Sequence, residues 1–168
     1  MAAATVGAMP QLRNTALGRG IERASGSARF AKIAPKIVPK MDRFVFRATR
    51  GRVLMSAGMV PAVMLQVRGA KSGQLRRTPL ATVPLGDSWY VVGSNFGRER
   101  HPLWTANLIA NPDAAIGYKG KNIDVHAHLL TEEEKAAVWP DLIKAWPNYD
   151  VYVERSKRDL RVFKLDRR

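Results

Sequence analysis

From Ala62 onward the chain is cut into short apolar runs separated by glycine-bearing turns, which constrains it toward a small, mostly antiparallel sheet. Ala62 to Arg68 reads as a strand, and Gly69-Ala70-Lys71-Ser72-Gly73 turns it into a second strand over about Arg76 to Pro84. Gly86-Asp87 makes the next turn, ahead of a third short strand from Trp89 to Gly93. A polar loop, Ser94 to Arg100, leads into a helix over about Pro102 to Ala110 that Asn111-Pro112 stops. Ala114 to Tyr118 and Asn122 to Leu129 read as a hairpin around Lys119-Gly120-Lys121. Thr131-Glu132-Glu133-Glu134 opens a helix with a capping box, the Thr hydroxyl taking the amide of Glu134 and the Glu reaching back. That helix runs to Trp146; a short helix around Tyr149 to Ser156 and a strand from Arg161 to Leu165 follow. The class is α+β, and a small β-barrel with flanking short helices is its natural closure.

The region ahead of that body is different. Of 28 Lys and Arg against 14 Asp and Glu in 168 residues, residues 1–50 hold ten basic and two acidic side chains. The chain therefore divides into a basic N-terminal arm, 1–50, and a globular domain, 51–168. Residues 1–28, rich in Ala, Gly, Ser and Arg, read as poorly ordered. Beyond them Phe30, Ile33, Ile37, Met41 and Phe44 recur at three and four residues beside Lys32, Lys36, Lys40, Arg43, Arg47 and Arg50. Pro35 and Pro39 forbid one continuous helix, but Pro39 suits the first position of a helix running to about Thr49. This basic and apolar segment, about residues 30–50, either lies on an anionic membrane surface or packs on the barrel. No apolar run has transmembrane length, and the first charge, Arg13, follows the Ala-rich start instead of preceding a greasy core. The expected residence is the cytoplasm, peripheral on the inner face of the cell membrane if the segment docks there.

Cysteine is absent, which excludes disulfides, thiolate nucleophiles and Cys-ligated metals. His126 and His128 face one side of a strand without a third ligand at a supporting spacing, so no metal site is expected. Helix capping accounts for Glu132, Glu133 and Glu134. The net charge of +14 raises nucleic-acid binding, but Trp89 and Tyr90 sit in an apolar strand and the basic excess lies mostly in the arm; no nucleic-acid partner is expected.

Two loops can carry chemistry. The turn from Gly69 to Arg77 places Lys71, Arg76 and Arg77 among glycines whose backbone can approach an anion closely; the bland alternative is a solvated hairpin turn. Strand alternation lets only one of the two arginines share a pocket with Lys71. The second loop, Ser94 to Arg100, precedes a helix bearing Trp104, Asn107 and Leu108, which either meet a heteroaromatic ring or serve as core anchor and helix polar group.

At these loops the sequence resembles the deazaflavin-dependent nitroreductase family, whose members have an FMN-binding-like split β-barrel and use coenzyme F420. The resemblance rests on Gly69, Lys71, Ser72, Gly73, Arg76, Pro79 and Leu80, then Ser94, Gly97, Pro102, Trp104, Asn107, Leu108, Ala110, Asn111 and Pro112, then Trp139, Pro140, Leu142, Tyr149 and Tyr152. It runs in register over about residues 40–165. It implies an antiparallel split β-barrel, which with the flanking short helices and the basic N-terminal arm read from the charge gives the expected architecture. Lys71, Ser72 and Arg76 would hold the cofactor's phosphate end, with Ala70 and Arg77 beside them. Thr78, Pro79, Leu80, Ala81, Val92, Gly93, Ser94, Asn95, Leu103, Trp104, Thr105, Ala106 and Asn107 would line the deazaflavin. Tyr152 would lie over the ring beside the substrate, and Ser94 and Tyr152 would be the catalytic hydroxyls; the competing reading has Tyr152 packed against Trp146. Ala70, Thr105, Ala81 and Arg161 depart from the family pattern. The implied activity is hydride transfer from reduced F420 to a small hydrophobic acceptor such as a quinone, enone or nitro compound; the alternative is a split barrel that binds cofactor or lipid without turnover.

Overall fold

The computed structural model describes residues 61–168 throughout and, ahead of them, residues 15–25 and scattered positions as far as residue 45. Helix α1 (Ala16–Ser25) lies in the stretch expected to lack order. The Thr15 hydroxyl corrects that expectation, accepting the Gly18 amide at 3.1 Å as an N-cap would. Of the helix expected from Pro39 to Thr49, residues 40–42 and 44–45 are helical, and the rest lies outside the described residues, as does the expected domain boundary at residue 50.

The body is β1 (Ala62–Arg68), β2 (Leu75–Ala81), β3 (Val83–Leu85), β4 (Ser88–Val92), α2 (Leu103–Ala110), β5 (Asp113–Tyr118), β6 (Lys121–Leu129), α3 (Glu132–Ala145), α4 (Asn148–Ser156) and β7 (Val162–Arg167). Every strand pairing is antiparallel, in the order β2-β1-β5-β6-β7-β4-β3. The strand expected over Arg76 to Pro84 is in fact two, and they stand at opposite edges of the sheet with only Thr82 between them. One residue cannot span a flat seven-stranded sheet, so the two edges must meet and the sheet must curl into a barrel. Thr82 fastens the seam: its amide donates to Pro61 O at 2.8 Å and its Oγ1 to Tyr90 O at 3.0 Å, with the residue 1% exposed. The barrel closes at this corner and stays split elsewhere. Pro79 and Pro84, which cost a ladder bond inside a sheet, sit in its two edge strands. The β5–β6 hairpin turns on Lys119 and Gly120, both at positive φ (47° and 76°), as a two-residue hairpin loop requires.

Alternation along the strands divides the apolar side chains into two cores. Val63, Leu65, Val67, Trp89, Val91, Ile116, Val125, Phe163 and Leu165 fill the barrel, plugged by Trp104 and Leu108 of α2. Tyr90, Val92 and Val162 point the other way, against Leu142, Tyr149 and Tyr152 of α3 and α4. The capping box of α3 forms as expected, although Pro140 lies inside the helix. No helix among the described residues is long and apolar enough to cross a membrane.

Candidate functional site

The turn between β1 and β2 is built on its glycines. Gly69 N–H donates to Gln74 O at 2.9 Å and Gly73 N–H to Gly69 O at 2.8 Å, with Gly73 at φ 64°. A Cβ on Gly69 would stand 2.7 Å from Ser72 Oγ, so the missing side chain is what lets that hydroxyl fold inward. Ser72 Oγ accepts from Arg76 Nη2 at 3.4 Å. Lys71 is exposed and makes no hydrogen bond or ion pair to any described residue, and Arg76 has no carboxylate partner among them. Two cations and a hydroxyl around a glycine turn, uncompensated by acids, form a donor set suited to a phosphate. Arg77 departs from the group: it pairs across the ladder with Gln66 and donates to Gln66 Oε1 at 3.4 Å, on the face of β2 opposite Arg76.

Helix α2 ties this turn to the rest of the site. Asn107 Oδ1 accepts the Ala70 amide at 3.0 Å, and Asn111 Nδ2 donates to Arg68 O at 3.2 Å. Asn107, expected along the ring, therefore braces the glycine turn. Within Leu103–Asn107 the expected lining residues separate by burial. Leu103 is 84% exposed and Ala106 is exposed, whereas Trp104 tilts against Phe163 in the barrel core at 5.7 Å and Thr105 is 0% exposed. Thr105 Oγ1 donates to Pro102 O at 2.8 Å and accepts from Arg161 Nη1 at 3.1 Å. Thr78, Pro79, Leu80 and Ala81 are half-buried along β2.

The third wall is the end of β4 and the loop after it. Gly93 is packed so closely that a Cβ would lie 2.9 Å from Thr105 Cγ2. Beyond Ser94, the residues Asn95, Phe96 and Gly97 take left-handed φ of 47°, 57° and 73° in succession, an arrangement that only surrounding contacts can hold for non-glycine residues. Val92 is buried in the second core, while Ser94 and Asn95 are half-buried, with Asn95 Nδ2 donating to Arg100 O at 2.8 Å. Phe30 of the arm meets Phe96 edge-on at 6.1 Å, so the arm touches this loop.

Tyr152 is 2% exposed and packs edge-on to Tyr149 at 6.5 Å. Its Cα lies 3.2 Å from where a Gly97 Cβ would stand, so it backs the 94–97 loop. His126 Nδ1 pairs with Asp113 at 2.7 Å and His128 Nε2 with Glu134 at 2.8 Å.

The residue that sequence reasoning missed is Arg158. It donates to Arg98 O, Gly93 O and Ser94 O at 3.0, 3.0 and 2.9 Å, and to His101 Nδ1 at 2.9 Å. Arg155 Nη1 adds a bond to Phe96 O at 3.3 Å. Nothing in the sequence separates Arg158 from the other basic residues, because every partner is a loop carbonyl or a histidine far along the chain.

An antiparallel split barrel with a basic glycine turn between its first two strands is shared with a solved reductase. A solved structure of an F420-H2 dependent reductase is 33% identical, with 63% of this chain and 94% of that one covered and a TM-score of 0.58. A second solved chain, described as a domain-swapped dimer, is 29% identical over 74% of this chain and 95% of its own, at a TM-score of 0.61. An F420H(2)-dependent quinone reductase of Mycobacterium tuberculosis is 32% identical over 133 residues, 74% of this chain and 86% of the relative. The F420H(2)-dependent quinone reductase family matches residues 40–166, and this chain belongs to it. The protein is thus an oxidoreductase whose cofactor is coenzyme F420, on the split barrel that the resemblance implied.

Proposed function

We propose that this chain reduces bulky quinone- or enone-like acceptors at an anionic membrane surface, with the cofactor's phosphate end held by Lys71, Ser72 and Arg76. The observation that carries the reading is the pair of uncompensated cations on the glycine turn, braced by Asn107 beside the end of β4. When bound, reduced F420 supplies a hydride. The chain's own residues do the rest. Thr78 to Ala81, Gly93 to Asn95, and Leu103 and Ala106 of α2 line the ring and exclude water from it. The Ser94 hydroxyl donates to the acceptor oxygen on which charge develops. Ala81 offers no hydroxyl, which leaves the acceptor side wide and apolar and favours quinones and enones over nitroimidazoles.

The membrane part rests on the arm. Ile33, Ile37, Met41 and Phe44, spaced 4, 4 and 3 apart, are 55%, 48%, 45% and 73% exposed, and Lys32 and Lys40 are exposed beside them. Exposed apolar residues at helical spacing flanked by lysines suit anionic lipid, each cation near the surface contributing about 1 kcal/mol. Consumption of reduced F420 by the full chain across quinone, enone and nitroimidazole acceptors, with and without phosphatidylglycerol vesicles, tests both parts. Quinone and enone turnover above nitroimidazole turnover, with the protein sedimenting with the vesicles at low salt, is expected. Equal rates across the panel would remove the acceptor assignment, and protein left in the supernatant would remove the membrane one.

A further inference from the structure

The loop after β4 combines strain with an unusual support. Three successive residues, Asn95 to Gly97, hold left-handed backbone, a conformation that costs non-glycine residues free energy and persists only under external constraint. One side chain bonds to the backbone on both sides of that run. The Arg158 guanidinium reaches Gly93 O and Ser94 O before the strained run, and Arg98 O and His101 Nδ1 after it. A planar fork with fixed donor directions can clamp both ends of a loop at once; a lysine ammonium cannot reproduce that geometry.

The bond to His101 also fixes a protonation state. Arginine has no lone pair to offer, so His101 Nδ1 must accept, which requires a neutral ring with its proton on Nε2. The groups around this ring reinforce that state. Burial together with the Arg158 and Arg161 guanidiniums pushes the His101 pKa below its ordinary value, and Asp159 opposes them. Asp159 is itself engaged by Lys135. Arg155 sits on Phe96 O, and Phe30 on the Phe96 ring.

We infer that Arg158 is a positioning residue for the cofactor-lining segment Gly93–Asn95, and that its clamp is complete only while His101 is neutral, so that protonating His101 loosens the loop and weakens cofactor binding. The inference rests on the F420 site proposed above. The sign follows from the bond: it is intact at neutral pH and is lost as the pH falls through the lowered His101 value, when an N–H would point at the guanidinium.

Two measurements on the full chain test it. The first is amide exchange at residues 94–98 in the cofactor-free protein, comparing wild type with His101→Gln and Arg158→Lys at the same pH. His101→Gln supplies an acceptor that does not titrate. Exchange in wild type should therefore outpace His101→Gln by about ten-fold near pH 5 and match it near pH 7.5, since loss of one charge-assisted bond is of that order. Arg158→Lys should exchange about ten-fold faster than wild type near pH 7.5, with β5 and β6 unchanged. The second is F420 affinity by fluorescence titration, read as the ratio of His101→Gln to wild type, which cancels the cofactor's own titration. The ratio should rise about ten-fold between about pH 7.5 and pH 5. A flat exchange ratio between wild type and His101→Gln across that range overturns the inference, and if Arg158→Lys does not fold, this comparison still decides it. A loop that responds in the cofactor-free protein while F420 fails to bind would leave the positioning role intact and remove the proposed site instead.

Discussion

Lys71 is charged, exposed and bonded to no described residue, so its removal should take little from the fold and much from an anionic ligand. Lys71→Ala is expected to weaken F420 binding about ten-fold or more, the worth of one charge-assisted contact, with the melting temperature unchanged. Arg77→Ala, on the opposite face of β2, should keep affinity within about two-fold, and paired titrations of the two variants check the assignment. The acceptor side separates in the same way. Ser94→Ala should lower kcat with a quinone about ten-fold or more while F420 affinity holds, whereas Tyr152→Phe, in a side chain 2% exposed, should leave kcat within about two-fold. The reverse pattern in steady-state rates would hand the acceptor role to Tyr152. These contrasts also mark what could be read in advance. The glycine turn was legible as a turn because Gly69, Lys71, Ser72, Gly73 and Arg76 lie within eight consecutive residues and turn chemistry is local. Trp104 was not, since an aromatic residue at a helix start has the same local sequence whether it meets a ligand or Phe163. Arg158 was beyond reach, its contacts to Gly93, Ser94, Arg98 and His101 spanning 57 to 65 residues.

Among the elements, α3 declares itself most fully in sequence and its start gives a pH-dependent stability. Thr131 Oγ1 accepts the Glu134 amide at 3.2 Å, and Glu134 Oε2 accepts the Thr131 amide at 2.9 Å while pairing with His128. The Thr131 amide, and after it the His128 ring, hold the Glu134 carboxyl below its ordinary 4.5. A carboxyl lowered by folding stabilises the protein above its unfolded value, and that contribution is lost as pH falls through the folded one. Thr131→Ala should cost about 1 kcal/mol at neutral pH. Glu134→Gln should be less stable than wild type at pH 7, and urea melts should show the gap closing below about pH 4. A gap unchanged at low pH would remove the carboxylate from this account. The edge strands were harder to read than the helix. An apolar run from Leu80 through Val83 gives no sign that Thr82 ends one strand and begins another at the far edge, because the break is set by closure of the whole sheet.

At the scale of the molecule, closure rests on that one residue. Thr82→Val keeps the shape of the side chain and removes the donor to Tyr90 O at a site 1% exposed. The expected loss is about 1 kcal/mol, checked by equilibrium unfolding; no loss would mean the seam is held by the Pro61 ladder alone. The arm enters the same picture through Phe30, which meets Phe96 edge-on in the loop that follows β4.

The corner at Thr82 also makes a lever of the β1–β2 hairpin. The seven residues of β2 extend roughly 23 Å from the corner to the glycine turn, at about 3.3 Å per residue. A swing of about 3° at Thr82 would displace Lys71 by about 1 Å, an error large enough to spoil a positioned contact. Asn107 and Asn111 act as struts at the far end, bonded to Ala70 and Arg68. If this turn holds the cofactor's charged tail as proposed, the grip is a matter of angular stiffness in the frame, and substitutions at the pivot or the struts should loosen it without touching a single phosphate-facing group.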